Sequence, residues 1–145
     1  MADAMIRIKS LYADLAASME ALRADQGAVD RSREKVTNAL SDGNAHYGIN
    51  TGFGILASER IEEELLYELQ QNILLSHACG VGDPVPPEIT RLMLQLKIHA
   101  LGLGQSGISL STFNQLLAFD KSGLTPWVPS RGSVGASGDL APLAH

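Results

Sequence analysis

The sequence predicts an all-α fold, on three observations. Apolar residues recur at intervals of three and four along most of the chain, which is the spacing of an amphipathic helix. Glycine and proline residues lie at the ends of these stretches, where helices stop and start. No stretch of useful length alternates apolar and polar residues as a half-buried strand does. The 145 residues suffice for one domain, residues 1–145, with a core of its own.

The predicted helices follow one another along the chain. The third begins with acidic residues, which suit the positive end of a helix dipole, and Gly80 provides its stop. Pro86 or Pro87 occupies the first turn of the fourth helix, a position that proline tolerates. Gly123 and Pro126 stop the fifth. The helices cover residues 6–22, 31–40, 59–80, 86–104 and 111–122, and a further one opens at Asp139.

Two glycine-rich stretches break the helical pattern and are predicted to be loops. The first, SDGNAHYGINTGFGILAS at residues 41–58, holds glycines together with Asn44 and Asn50, residue types that favour turns and positive φ. The second, GSVGASG at residues 132–138, lies directly before an apolar helical start.

Composition excludes several classes of protein. The formal net charge is -5 and the basic residues are scattered, which argues against a nucleic-acid partner. No apolar run approaches the ~20 residues that a membrane helix needs, and the first residues lack the features of a secretory signal. The single cysteine, Cys79, permits no internal disulfide. We therefore expect a cytoplasmic protein.

Some residues invite a functional interpretation that their context does not support. The string GLGQSG at residues 102–107 matches a dinucleotide-binding pattern, but it follows a helical stretch rather than a strand. His46, His99 and His145 lack the spacing of metal ligands, so no metal site is expected. Cys79 has no neighbouring base and is interpreted as a small buried hydrophobe.

His77 has two interpretations. It lies four residues after Ile73 and eleven after Leu66, which places all three on one side of the third helix. A histidine on an apolar face is more often a core residue than a functional one. The helix alone leaves both possibilities open.

The tripeptide Ala136-Ser137-Gly138 can undergo an unusual reaction. A glycine amide is the least hindered backbone nucleophile, and glycine allows the Gly138 nitrogen to reach the carbonyl of Ala136. Ring closure and loss of two water molecules, one from the Ser137 hydroxyl, leave an imidazolone with an exocyclic methylidene. That electrophile is absent from the twenty side chains. A plain turn before a helix is the alternative, and the tripeptide alone does not exclude it.

Longer motifs give the tripeptide a context. GSVGASGDLAPLAH at 132–145 and YGINTGFG at 47–54 resemble the aromatic amino acid ammonia-lyase and aminomutase family, and the resemblance extends over most of the chain from about Asn38. It implies the helical N-terminal part of a subunit with two glycine-rich active-site loops. It also implies that Ala136, Ser137 and Gly138 form a methylidene-imidazolone without metal or external cofactor, and that Tyr47 is the acid/base group.

The pair Ser76-His77 indicates the substrate within this resemblance. Family members that act on histidine carry Ser-His here, those that act on tyrosine His-Leu, and those that act on phenylalanine Phe-Leu. The resemblance thus implies that Ser76 and His77 bind L-histidine, which is deaminated to urocanate and ammonia. A tyrosine lyase or aminomutase, and a helical interaction module without catalysis, remain the alternatives.

Two departures from the family pattern qualify the resemblance. Ser109 stands where many relatives have an arginine, which affects packing or subunit contacts rather than chemistry. Family subunits are several times longer and form homotetramers. We therefore expect residues 1–145 to be an N-terminal fragment that is inactive alone, keeps the tripeptide uncyclised and self-associates.

Overall fold

The computed structural model describes residues 5–145, and these are mainly helical. Helices α1 to α6 span Leu11–Ala24, Gly27–Ser41, Leu66–His77, Pro87–Gly102, Leu110–Ser122 and Ala141–Ala144. Strands β1 to β4 span Val81–Pro84, Pro129–Arg131, Val134–Gly135 and Gly138–Asp139. The strands form two antiparallel ladders, β1 with β2 and β3 with β4. The predicted all-α class is confirmed, with short ladders that the apolar pattern did not reveal.

The first two helices begin at other residues than predicted. Before α1, residues Ile8–Ser10 form a 3-10 turn, and the Asp14 carboxylate accepts hydrogen bonds from the backbone N–H of Arg7 at 3.0 Å and from the Ser10 hydroxyl at 2.9 Å. The hydrogen bond from the Arg7 side chain, and after it those from the Arg7 N–H and the Ser10 hydroxyl, hold the pKa of Asp14 at about 2. Helix α2 begins at Gly27 rather than at residue 31, and the Asp25 carboxylate accepts the Gly27 N–H at 2.9 Å.

The third and last helices are shorter than predicted. Helix α3 begins at Leu66 rather than at residue 59. The Ile61 N–H donates to the Asn50 carbonyl at 2.8 Å, and Glu63–Leu65 form a 3-10 turn directly before the helix. It ends at His77, and Ala78 leaves the helix with φ -76° and ψ 55°. Helix α6 begins after Asp139, which belongs to β4.

The described residues divide into two compact units. Unit 1 comprises the chain up to Val36 together with Glu88–Thr125, and unit 2 comprises Thr37–Pro87 and Pro126–His145. Unit 1 has an apolar core formed by Met19, Val29, Leu94, Ile98, Leu101, Phe113 and Leu117. A buried carboxylate, Asp120, lies in the same unit, where Arg23 forms an ion pair with it and the Gln95 amide donates to it at 2.7 Å.

The glycines of the GLGQSG segment, residues 102–107, pack closely against other residues of unit 1. A Cβ at Gly102 would overlap the side chain of Leu22, and one at Gly107 would overlap that of Val36. Gly107 also has φ +68°, and its N–H donates to the buried hydroxyl of Ser32 at 2.9 Å. These glycines permit close packing and a left-handed turn.

Ser109 is the N-cap of helix α5. Its hydroxyl accepts the backbone N–H of Thr112 at 3.2 Å, and its backbone is extended with ψ 147°. The sequence signal for this cap, a serine before an apolar run, is present although the prediction did not use it. Gly123 ends the helix in a left-handed conformation with φ +74°, as predicted.

Candidate active site

Unit 2 contains a cavity of about 300 Å³ at the end of helix α3. Five of the six residues predicted to form a site line it: Ser76, His77, Ala136, Ser137 and Gly138. Helix α3 supplies the first two, and the hairpin of β3 and β4 supplies the others. Residues separated by about sixty positions in sequence thus face one space.

The hairpin presents the tripeptide at its tip. Ala136 and Ser137 connect the two strands, and Gly135 pairs with Gly138 across the ladder. Gly138 has φ +83°, a conformation that favours glycine, and no heavy atom lies within 4 Å of the position that a Cβ would occupy. The residues of the tip, Ala136 to Gly138, are exposed.

Asp139 secures the hairpin to the helix that follows. Its carboxylate accepts the Ala141 N–H at 3.1 Å, at the first residue of α6. A Cβ at Gly132 would overlap this carboxylate, so the glycine before the hairpin leaves the space that Asp139 fills. The turn containing Ala136 and Ser137 is therefore held at its base.

The His77 ring has a defined proton arrangement. Its Nδ1 lies 2.7 Å from the carbonyl oxygen of Ile73, which can only accept, so Nδ1 carries the proton. The Ser76 hydroxyl donates to the same carbonyl at 3.0 Å and lies 3.0 Å from Nδ1. In the neutral ring Nε2 is left as a hydrogen-bond acceptor.

Tyr47 is the predicted site residue that the cavity does not include. It lies in the loop between α2 and α3, its side chain is 66% exposed, and its ring meets that of Phe53 edge-on with centroids 5.7 Å apart.

In the same loop, the Asn44 N–H and the His46 ring donate to the Asp42 carboxylate and hold the pKa of Asp42 below its usual value.

The interpretation of Cys79 as a buried hydrophobe is wrong. Because α3 ends at His77, Cys79 lies beyond the apolar face of that helix; its side chain is exposed and lines the cavity. Ser133 and Leu140 also line the cavity, and no sequence signal identified them. Ser133 and Leu140 lie at the two ends of the hairpin of β3 and β4, which the helical pattern of the sequence did not predict.

His145 has a contact that its isolation in sequence did not suggest. Its Nε2 accepts the backbone N–H of Gly80 at 3.0 Å, and its ring meets that of Trp127 edge-on with centroids 6.4 Å apart. A Cβ at Gly80 would overlap the ring of Pro129. Gly80 is therefore packed from two sides close to the end of α3.

Neither of two other kinds of site is found among the described residues. In residues 5–145 no group of three or more His, Cys, Asp and Glu side chains could hold a metal ion. No helix in the same part of the chain has the length and apolar character for crossing a membrane.

Comparison with known proteins gives consistent matches along the chain. The family model described as aromatic amino acid lyase matches residues 5–145. A histidine ammonia-lyase of Salmonella paratyphi B is 50% identical over 127 residues, which cover 86% of this chain and 25% of the relative. The crystal structure of histidine ammonia-lyase from Trypanosoma cruzi is 38% identical with a TM-score of 0.72, covering 81% of this chain and 22% of that one.

A third match is an enzyme that is named for a different substrate. The ergothioneine-degrading enzyme Ergothionase from Treponema denticola is 28% identical with a TM-score of 0.75, covering 82% of this chain and 24% of that one. The chain spans about a quarter of the length of the curated relatives it matches.

Proposed function

Because the chain belongs to the aromatic amino acid lyase family, we propose that the whole protein converts L-histidine to urocanate and ammonia. The whole protein here means a subunit of the length seen in the relatives. One observation carries the proposal: a single cavity is lined by His77 and by the tripeptide Ala136-Ser137-Gly138. The similarity to histidine ammonia-lyases supports the choice of substrate.

The tripeptide fits the prosthetic group that we propose, a methylidene-imidazolone made from its own atoms. Gly138 has a positive φ and no side chain to hinder its nitrogen, and the space where a Cβ would lie is open. The exposed Ser137 supplies the hydroxyl that must leave as water. Once formed, the group supplies an electrophile that activates the substrate for loss of ammonia. No metal or external cofactor is part of the proposal.

His77 and Ser76 are proposed to bind the substrate. With Nδ1 donating to Ile73, Nε2 of the neutral His77 ring can accept the N–H of a substrate imidazole. A phenyl ring has no donor for this nitrogen, and a polar atom left without a partner in a binding site disfavours the wrong substrate. This preference separates histidine from phenylalanine.

Tyr47 is proposed to remove a proton from the β-carbon of the substrate. The phenol has the oxygen needed for proton transfer, and the exposed ring leaves it accessible. The glycines around Tyr47 allow a backbone loop to lie close to a ligand while it presents one side chain.

The proposal includes a homotetramer in the cytoplasm, with neither a nucleic acid nor a membrane as partner. Exposed apolar side chains on α3 support the association of subunits. Tyr67 is 74% exposed, Leu74 54% and Leu75 76%, and no residue of this helix is buried within the described chain. An apolar surface of this kind is typical of an interface.

The test is release of ammonia by the purified whole protein, measured separately with L-histidine and L-tyrosine. The proposal expects urocanate and ammonia from L-histidine and much slower turnover of L-tyrosine. Preferential release of ammonia from L-tyrosine would instead support a tyrosine lyase, and conversion of L-tyrosine to its β-amino isomer without release of ammonia would support an aminomutase. Absence of turnover with every aromatic amino acid would support a module without catalysis.

A further inference from the structure

We infer that Asn50 is a positioning residue that sets the place of Tyr47, and the inference rests on the proposed function of Tyr47 in proton transfer. The two residues are three positions apart in the loop after α2. Their environments are opposite: Asn50 is 1% exposed and Tyr47 is 66% exposed. A polar side chain buried this completely needs hydrogen-bond partners, and those partners lie around Tyr47.

The Asn50 side chain joins the segment that leads to Tyr47. Its Oδ1 accepts the backbone N–H of His46 at 2.7 Å, and its Nδ2 donates to the carbonyl of Asn44 at 2.9 Å. The backbone N–H of Asn50 donates to the His46 carbonyl at 3.2 Å. Both backbone polar groups of His46, the residue directly before Tyr47, therefore bind Asn50.

Asn50 is itself attached to the segment that precedes α3. Its carbonyl accepts the N–H of Ile61 at 2.8 Å. The next residue, Thr51, is 1% exposed and forms an isolated bridge with Arg60. Through Asn50, the backbone around Tyr47 is thus connected to Arg60 and Ile61, which pair with Thr51 and Asn50, although the Tyr47 ring itself is exposed.

Asparagine is suited to this role because one planar group carries both a donor and an acceptor. Aspartate keeps the acceptor for the His46 N–H but cannot donate to the Asn44 carbonyl when it is ionised. Alanine loses both bonds and leaves the His46 N–H and the Asn44 carbonyl without these partners. We therefore expect the side-chain amide of Asn50 to fix the backbone conformation of the turn that carries Tyr47.

The test combines two variants in the whole protein with L-histidine as substrate. If Asn50→Ala displaces Tyr47 by about 1 Å, kcat should fall by about 100-fold. In the double variant, Tyr47→Phe should then cost only a few-fold more, because the phenol that it removes is already misplaced. Asn38→Ala, the same substitution at an exposed position on α2, is the control and should leave kcat unchanged.

Hydrogen exchange of the His46 amide in the full chain gives a second measurement that does not depend on activity. Asn50→Ala should increase its exchange by about tenfold or more, as expected for the loss of one part-buried hydrogen bond, and Asn38→Ala should not. Where Asn50→Ala does not fold, Asn50→Asp replaces it in the kinetic experiment, since it keeps the size of the side chain and should lower kcat by about tenfold through loss of the donor. Because aspartate keeps the acceptor, the His46 amide should stay protected in Asn50→Asp.

The outcomes separate the inference from the proposed function. If Tyr47→Phe impairs turnover but the two losses multiply in the double variant, or if the His46 amide stays protected in Asn50→Ala, Asn50 does not position Tyr47. If Tyr47→Phe alone leaves turnover of L-histidine unchanged, the proposed function of Tyr47 fails, and the inference fails with it.

Discussion

Replacement of His77 by leucine should separate substrate recognition from folding. The substitution removes the Nε2 acceptor from the cavity, so the substrate imidazole loses its proposed partner. One unpartnered hydrogen-bonding group costs about 1–3 kcal/mol, which corresponds to a roughly 5- to 140-fold fall in kcat/KM for L-histidine at ~1.4 kcal/mol per tenfold. Turnover of L-phenylalanine should not fall in the same proportion.

The effect of His77→Leu on folding should be small. The variant loses the bond from Nδ1 to the Ile73 carbonyl, worth about 0.5–1.5 kcal/mol. Leucine offsets part of this loss, because it has a higher helix propensity than histidine. The melting temperature should therefore change by only a few degrees.

The assay for His77→Leu is the steady-state kinetics of the whole protein, with thermal unfolding of the same preparations. Asn72→Leu is the matched control, since it places a leucine at an exposed position of the same helix outside the cavity lining. Unchanged kcat/KM, or a loss of activity that is explained by an equal loss of folded protein, would refute the role of His77 and favour a core histidine.

Three further predictions concern other parts of the chain. Ser137→Ala should abolish turnover in the whole protein because no hydroxyl remains to leave, and unchanged activity would contradict the assignment. Gly107→Ala should lower the free energy of unfolding by about 2 kcal/mol or more, through backbone strain and overlap with Val36. Gly123→Ala should lower it by less, because the space around Gly123 is open. Equal effects of the two substitutions would exclude the overlap. The Asp14 carboxyl, held by Arg7, should titrate at about 2 by NMR, and a midpoint at 3.8, its ordinary value, would contradict this.

The low pKa of Asp14 sets the direction of its contribution to stability. A carboxyl whose pKa is lower in the folded chain than in the unfolded chain binds fewer protons when folded, so it stabilises the fold above its ordinary pKa. That contribution is lost as the pH falls from 3.8 towards 2. The exposed loop carboxyl of Asp42 has a pKa shifted in the same direction, so its contribution is likewise lost on acidification.

The helical part of the fold could be predicted because apolar periodicity is a local property. Helix α5 was predicted within one residue of its observed start at Leu110, and its stop at Gly123 follows from a left-handed cap. The start of α3 could not be predicted this way, because it follows a bond between Ile61 and Asn50, eleven positions earlier, that helical periodicity does not reveal. Tertiary pairing there prevails over local helix propensity.

The candidate site was only partly predictable for a similar reason. Ala136-Ser137-Gly138 and Ser76-His77 could be identified from motifs and from the resemblance to a family. The exposure of Cys79 and the burial of Asn50 depend on where a helix ends and how a loop closes. Neither property has a periodic signal in the sequence, since each arises from a few individual hydrogen bonds.

The mass of the peptide containing Ala136, Ser137 and Gly138 tests the central proposal most directly. It should be measured by tandem mass spectrometry on preparations of the whole protein that release ammonia from L-histidine. The proposal predicts a peptide lighter by two water molecules, with the change located at these three residues, and an unmodified peptide in Ser137→Ala. An unmodified mass in fully active protein would contradict it.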